Sequence, residues 1–297
     1  MALQHCIIAA TYYPLRLTRT ARSVLTGGRD DRLRVLLYHD IPPEDRNRFA
    51  NQLRWLSRRW SFATPEHFAA MLEGREPIRG RQLLVTFDDG LLSNFEVATA
   101  ILKPLGIRAI FFVVSDLVEM SDREKVREFM GRCVQPGTLI DRIPPTWDRM
   151  GWSELEQLLE MGHTIGGHTR SHARLSTIDD LTSLEDQIAG GADVLAARLG
   201  VAIEHFAFPF GNLASFSPTA MQVARRRFKF VHSGLRGRND TAVLPHAIRR
   251  DAAATQDAQS NYSVLSHGLI GGFLEGSADP FYSRARRQLD QWAAARQ

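Results

Sequence analysis

Leu83-Leu84-Val85-Thr86-Phe87-Asp88-Asp89-Gly90 is the stretch on which the reading of this chain turns. Its apolar start reads as a buried strand, and Gly90 opens that strand into a loop. Two adjacent acids at such a strand end are costly, because each carboxylate raises the other's pKa unless a cation lies between them. A single Asp there could equally cap the following helix. The downstream cluster His168-Thr169-Arg170-Ser171-His172 weighs against that simpler role. Its two imidazoles are four residues apart and share one face of a helical turn. With one carboxylate they make a two-His, one-Asp set that suits Zn²⁺ or a similar divalent metal and leaves positions open for water and substrate.

Outward from these clusters, strands are predicted at residues 34–38, 83–87, 109–114, 163–166, 206–208, 228–232 and 247–249. Helices are predicted at 49–60, 65–72 behind a Thr64 cap, 94–102, 153–161 from a Ser153–Glu156 capping box, 179–199 and 218–227. This alternation predicts an α/β fold with a parallel sheet curled into a barrel or distorted (β/α) barrel. Loops after the strands then share one face, which gathers His39, Asp88-Asp89, His168 and His172, the 208–211 turn and Arg250-Asp251. Residues 1–32 read as an N-terminal extension ending at a Gly27-Gly28 break, and 33–297 as the catalytic domain. The polar stretch 116–149, broken by Pro136, Gly137, Pro144 and Pro145, reads as an insertion with a helix near 124–133.

The 297 residues are 44% hydrophobic, enough for one large α/β domain. Net charge is +4 and the only lysines are Lys103, Lys125 and Lys229. The arginines are scattered among acids with no interleaved aromatic stripe, so no nucleic-acid partner is expected. No run approaches membrane-spanning length. Residues 16–25 form either a short basic amphipathic helix touching a membrane surface peripherally or, the preferred reading, a helix packed on the domain. Cys6 and Cys133 show no metal-ligand spacing and fit a reducing compartment. With no recognisable signal peptide, a cytoplasmic location is expected.

Thr86-Phe87-Asp88-Asp89-Gly90 followed by His168-Thr169-Arg170-Ser171-His172 resembles the first two motifs of the polysaccharide deacetylases. These are metal-dependent de-N-acetylases with a NodB homology domain, carbohydrate esterase family four. The resemblance covers about residues 34–251 and implies the distorted barrel of that family. It also implies Asp89, His168 and His172 as ligands of one divalent ion, zinc first, with cobalt, nickel, manganese or iron as alternatives. Asp88 would be the general base. The residue types suit the chemistry, because an amide is a poor electrophile and needs both a polarised carbonyl and an activated water.

The third motif departs from the family's usual Arg-x-Pro-Tyr-Gly. Here Phe206-Ala207-Phe208-Pro209-Phe210-Gly211 puts Ala207 at the Arg position and Phe210 at the Tyr position, as in a branch resembling exopolysaccharide deacetylases. The Phe210 N–H, beside Pro209, could still hold the oxyanion. Arg250 resembles the family's fourth motif, either as a brace for the catalytic Asp or as a surface salt bridge. His267, in Leu265-Ser266-His267, resembles the final Leu-x-His that protonates the leaving amine. Gly268, Gly271 and Gly272 make a plain helix connection the alternative there. His39 is a second candidate for the acid, or a support behind the ligands. The implied reaction is removal of acetyl or another small acyl group from an N-acylated amino sugar or glycan precursor. A nucleotide sugar, a lipid-linked sugar or a glycosylated metabolite would suit the expected location. Hydrolysis of a linear or cyclic non-sugar amide, or non-catalytic carbohydrate binding, are the other readings. Trp147 and Trp152 are candidates for stacking on a sugar ring or for the core.

Overall fold

The computed structural model describes residues 2–26, 29–144, 147–240, 243–253 and 267–295. The expectations placed on Gly27-Gly28, Pro145, Leu265 and Ser266 lie outside the described residues. Among the described residues, strands and helices alternate. Helix α1 (Ala2–Thr26) precedes β1 (Arg32–Tyr38), α2 (Arg46–Ser57), β2 (Ser61–Phe62), α3 (Pro65–Leu72) and β3 (Arg81–Phe87). Next come α4 (Leu92–Val97), β4 (Ala109–Val113), α5 (Ser115–Glu119), α6 (Arg123–Phe129), α7 (Trp152–Glu160) and β5 (Thr164–Gly167). The chain continues with α8 (Leu181–Glu185), α9 (Gly191–Leu199), β6 (His205–Ala207), α10 (Pro218–Arg227), β7 (Phe230–His232) and β8 (Asp251–Ala252). Helices α11 (His267–Leu274) and α12 (Ser283–Ala294) complete it.

Every strand pairing is parallel, in the order β7-β6-β5-β4-β3-β1-β8, with β2 on the side of β3. The sheet curls, and its two ends meet through a broken strand. Ile248 bridges to His232 of β7, and three residues later Asp251 pairs with Leu36 of β1. The strand expected at 247–249 is thus reduced to a single bridge at Ile248, and the strand that pairs with β1 comes just after it, at Asp251–Ala252.

Side chains alternate along each strand as the pleat requires. Leu33 and Val35, Leu84, Ile110 and Phe112, Ala207 and Phe230 fill the inside of the curl, with Phe68 of α3 closing its lower end. The opposite parity (Leu36, Val85, Phe111, Ile165, Phe206, Val231) packs outward beneath the helices. Asp88, His168 and Arg250 carry the inward parity at the upper ends of their strands, and that is what turns them toward one another.

Helix boundaries differ from expectation where caps decided them. Helix α7 starts at Trp152 because the Glu154 carboxylate accepts the Gly151 N–H at 2.8 Å, so the Ser153–Glu156 pair is not the cap. The 179–199 helix is α8 and α9 joined by a wider π turn over Asp186–Gly190, and Asp180 caps its start. Residues 116–149 hold a cluster of their own, including Val126, Phe129, Met130 and Ile143, which packs on Leu91 and Val114. In the extension, α1 lies against α11, where the ring of Tyr12 and the backbone of Ile8 sit over Gly271 and Gly272 with no room for a Cβ. The glycines after His267 therefore serve a close helix–helix crossing.

Candidate metal and hydrolytic centre

Register places the residue after each strand on one rim, since Tyr38 pairs with Phe87, Val113 with Gly167 and Ala207 with His232. A cleft of about 600 Å³ opens there, lined by His39, Asp88, Asp89, His168, His172 and Phe210 among others. Its volume suits a small-molecule or single-sugar site.

In a regular strand Asp88 and Asp89 would face opposite ways. Asp89 instead takes φ +76° and Gly90 follows at +75°, so the chain turns and both carboxylates reach the cleft. A Cβ at Gly90 would also sit 3.3 Å from Val113. Among the described residues, the non-glycine positions in the left-handed region are Asp89, Thr169, His172 and Phe210. Three line the cleft and the fourth adjoins His168. Each such residue costs about 1–3 kcal/mol, and this clustering is the pattern of strain held at a working site.

The ligand atoms of Asp89, His168 and His172 lie within 4.8 Å of one another, and all three residues are buried. The Nδ1 atom of His168 is 2.7 Å from the Ala207 carbonyl, and that of His172 is 2.8 Å from the Cys133 carbonyl. A carbonyl only accepts, so both Nδ1 atoms carry a proton, and each ring turns inward an Nε2 that offers a lone pair in the neutral form. Both Nε2 atoms stand 3.4 Å from Asp89 Oδ1. That oxygen is buried and has no hydrogen-bond partner. Three lone-pair donors converging in a buried pocket fit a divalent cation. The charges of the three groups are coupled. Burial alone would raise the Asp89 pKa, but the two imidazoles beside it, with His39 further off, hold it well below the carboxylate range. Burial pulls His172 down, yet Asp89 outweighs it and the net shift is upward.

Asp88 is held differently. Arg250, fully buried, grips it with Nη1 to Oδ1 at 2.6 Å and Nη2 to Oδ2 at 2.9 Å. The same guanidinium donates to the Ser233 carbonyl at 2.8 Å and to Thr86 Oγ1 at 3.3 Å, which fixes its plane. Of the two readings for Arg250, the surface salt bridge is excluded by this burial. A charge that the third motif lacks at Ala207 reaches the same carboxylate from the broken strand.

Two expected site residues lie elsewhere. Pro209 is buried and its carbonyl accepts from Ser215 Oγ at 2.8 Å, so it turns away from the cleft while Phe210 faces it. His267 stacks on Trp55 of α2, ring centres 4.9 Å apart, and is not among the cleft residues. The helix crossing between α1 and α11 carries it to the outer surface. Trp147 lines the cleft, with Nε1 donating to Asp40 at 2.7 Å, whereas Trp152 packs against the core. Sequence reasoning missed the Ala207 and Cys133 carbonyls, because a backbone acceptor has no residue-type signature. It also missed Gln135 and Arg142, which bring the 116–149 segment to the cleft wall.

The sequence profile of the family described as polysaccharide deacetylase matches residues 75–227, just over half of the chain. The curated relative YxkH of Bacillus subtilis (strain 168), named for that family, is 28% identical over 89 residues, which is 28% of this chain and 32% of YxkH. The chain thus matches about a third of that relative's length. Among solved structures, IcaB from Ammonifex degensii superposes with a TM-score of 0.62 at 24% identity, over 83% of this chain and 98% of that one. The Streptococcus pyogenes deacetylase PplD, solved with acetate, gives a TM-score of 0.60 at 20% identity, over 74% and 92%. At these identities the superpositions establish the fold, the curled parallel sheet with its surrounding helices. With the family profile lying across both Asp88-Asp89 and the two histidines, the chain belongs to the polysaccharide deacetylase family.

Proposed function

We propose that the protein is a metal-dependent hydrolase that removes an acetyl or other small acyl group from an N-acylated amino sugar or glycan precursor. One observation carries this reading: Asp88, clasped by Arg250, stands beside the convergent Asp89, His168 and His172 donors in a sugar-sized cleft. Asp89, His168 and His172 would hold one divalent ion, zinc first by donor type, with cobalt, nickel, manganese or iron as alternatives. When bound, such an ion polarises the acyl carbonyl and makes water easier to deprotonate. Asp88 accepts the proton from the attacking water, and Arg250 keeps its carboxylate aimed. Phe210 lines the cleft, and its N–H, with no hydrogen-bond partner among the described residues, would stabilise the oxyanion. His39 is the cleft's one imidazole outside the ligand set among the described residues, so it replaces His267 as the proton donor to the departing amine. Two cysteines in 297 residues support a reducing, cytoplasmic setting as part of the same proposal.

The test is acetate release from a panel of N-acetylated sugars and nucleotide sugars, using protein stripped of metal and reloaded with Zn²⁺. Metal-dependent release that Asp88→Asn abolishes, with metal content retained, is the expected result. Bound metal without release from any sugar would shift the reading to a non-sugar amide. Unaltered biological activity of Asp88→Asn would instead indicate a binding role.

A further inference from the structure

We propose that Gln187 is a positioning residue for the metal site, holding the loop between His168 and His172 in the shape that brings both imidazoles to Asp89. The inference rests on the metal-dependent reading of the cleft. It adds a residue that lies outside both sequence motifs and is not among those lining the cleft.

The loop is one that needs holding. Thr169 and His172 take φ of +64° and +57°, a region that residues with a Cβ occupy only at a cost. Relaxation at either residue would turn the His172 ring, whose Nε2 now stands 3.4 Å from Asp89 Oδ1. Between the two strained positions lie Arg170 and Ser171, and both are gripped by Gln187. The Arg170 N–H donates to the Gln187 carbonyl at 2.9 Å. The Ser171 N–H and the Ser171 hydroxyl both donate to Gln187 Oε1, each at 3.1 Å. A backbone N–H only donates, so the amide oxygen of Gln187, and not its NH₂, faces Ser171. From the other side, the N–H groups of Ser115 and Asp116 donate to the carbonyls of Thr169 and Arg170 at 3.4 and 2.9 Å. The loop's carbonyls are thus held from the end of β4, and its two central N–H groups by Gln187.

The π turn between α8 and α9 makes the first of these grips available. In a regular α-helix the Gly191 N–H would bond to the Gln187 carbonyl, four residues back. Across Asp186–Gly190 it bonds to the Asp186 carbonyl, which leaves the Gln187 carbonyl for Arg170. Residue 191 is glycine where the helix touches the loop, and a Cβ there would lie 2.7 Å from the Arg170 nitrogen. Asp186, in the same turn, receives the Arg170 guanidinium at 2.8 Å. That pair lies at the surface, where solvent weakens it, so the Gln187 contacts carry the positioning.

The test compares Gln187→Met, which keeps the side-chain length and helix-forming tendency but has no oxygen to accept, with Gln187→Glu, which restores one. Zinc affinity is measured on the stripped full chain by competition with a chromophoric chelator, beside thermal melts of the same metal-free proteins. Gln187→Met should bind zinc about tenfold more weakly, as when a ligand loses its orienting support, and Gln187→Glu should stay within about twofold of the wild type. Should Gln187→Met not fold, Gln187→Asn tests the same contact, because its shorter side chain cannot reach Ser171, and the same tenfold loss is expected. Wild-type affinity in the methionine or asparagine variant overturns the proposal, as does a loss that Gln187→Glu fails to restore. A wild-type chain that binds no zinc is a different result: it overturns the metal-dependent reading of the cleft, and this inference with it.

Discussion

Arg250 and Asp88 are 162 positions apart in sequence and meet through two parallel hydrogen bonds of 2.6 and 2.9 Å inside the curl of the sheet. Bidentate pairing fixes direction as well as charge. Arg250→Lys keeps the charge and loses the fork, so kcat should fall about ten- to hundredfold with KM little changed. Arg250→Ala leaves Asp88 buried and unpaired and should destabilise the fold by about 3–5 kcal/mol. Steady-state acetate release together with urea denaturation of both variants checks the pair. A lysine variant with wild-type kcat would contradict the positioning role.

Metal content is a separate readout of the three-donor pocket. The stripped and reloaded wild type should hold about one zinc per chain, and Asp89→Asn or His172→Gln should lower affinity by at least about a hundredfold. Elemental analysis after gel filtration measures this. Stoichiometric zinc in His172→Gln would remove that residue from the ligand set.

The 116–149 segment should matter to the metal as well as to the cleft wall, since the Cys133 carbonyl sets the tautomer of His172. Phe129 is 3% exposed in the segment's own cluster, and Phe129→Ala would loosen it. Zinc affinity should then drop about tenfold, in the range seen when a ligand loses its orienting partner. Calorimetric titration at constant pH reads the change, and an unaltered affinity would detach the segment from the site.

Acid stability follows from three buried imidazoles that are not among the cleft-lining residues. Burial, with help from Arg108, pulls His163 down to about 4. Burial, with a contribution from Lys229, pulls His205 down to about 3. His232, bonded to His205 and near Arg250, lies well below its usual value, mainly through burial. Each is therefore neutral in the fold and protonates near 6.5 once unfolded. Their stabilisation is complete above about pH 6.5 and is lost as the pH falls toward 4 and 3. Between pH 6.5 and 5 each should remove about 2 kcal/mol. Denaturant melts across that window should steepen accordingly, and His163→Gln should flatten the slope by about one group.

A buried ion pair holds the closing strand. Arg34 and Asp251, both without exposure, join through bonds of 2.8 and 2.7 Å, and Asp279 adds a third anchor at 2.8 Å. Asp251→Ala leaves Arg34 with Asp279 as its remaining carboxylate partner and should cost about 1–3 kcal/mol. Because Asp251 is adjacent to Arg250, kcat should fall in the same variant, which a thermal melt and an activity assay would show together.

The legible part of this chain was local. Alternating strand and helix patterns, the acid pair after Phe87 and the histidine pair after Gly167 are properties of neighbouring residues. Hydrophobic periodicity and residue type report such properties directly. They led to the curled parallel sheet and to the family. They misplaced His267, whose three-residue match carries no information about which face of the molecule its helix occupies. Only the tertiary structure decided what joins distant segments: that Arg250, not residue 207, braces Asp88, that the carbonyls of Ala207 and Cys133 orient the histidines, and that α1 packs against α11. Each of these depends on strand closure, backbone direction or helix crossing. Those are set by long-range packing, and no side-chain identity along the sequence records them.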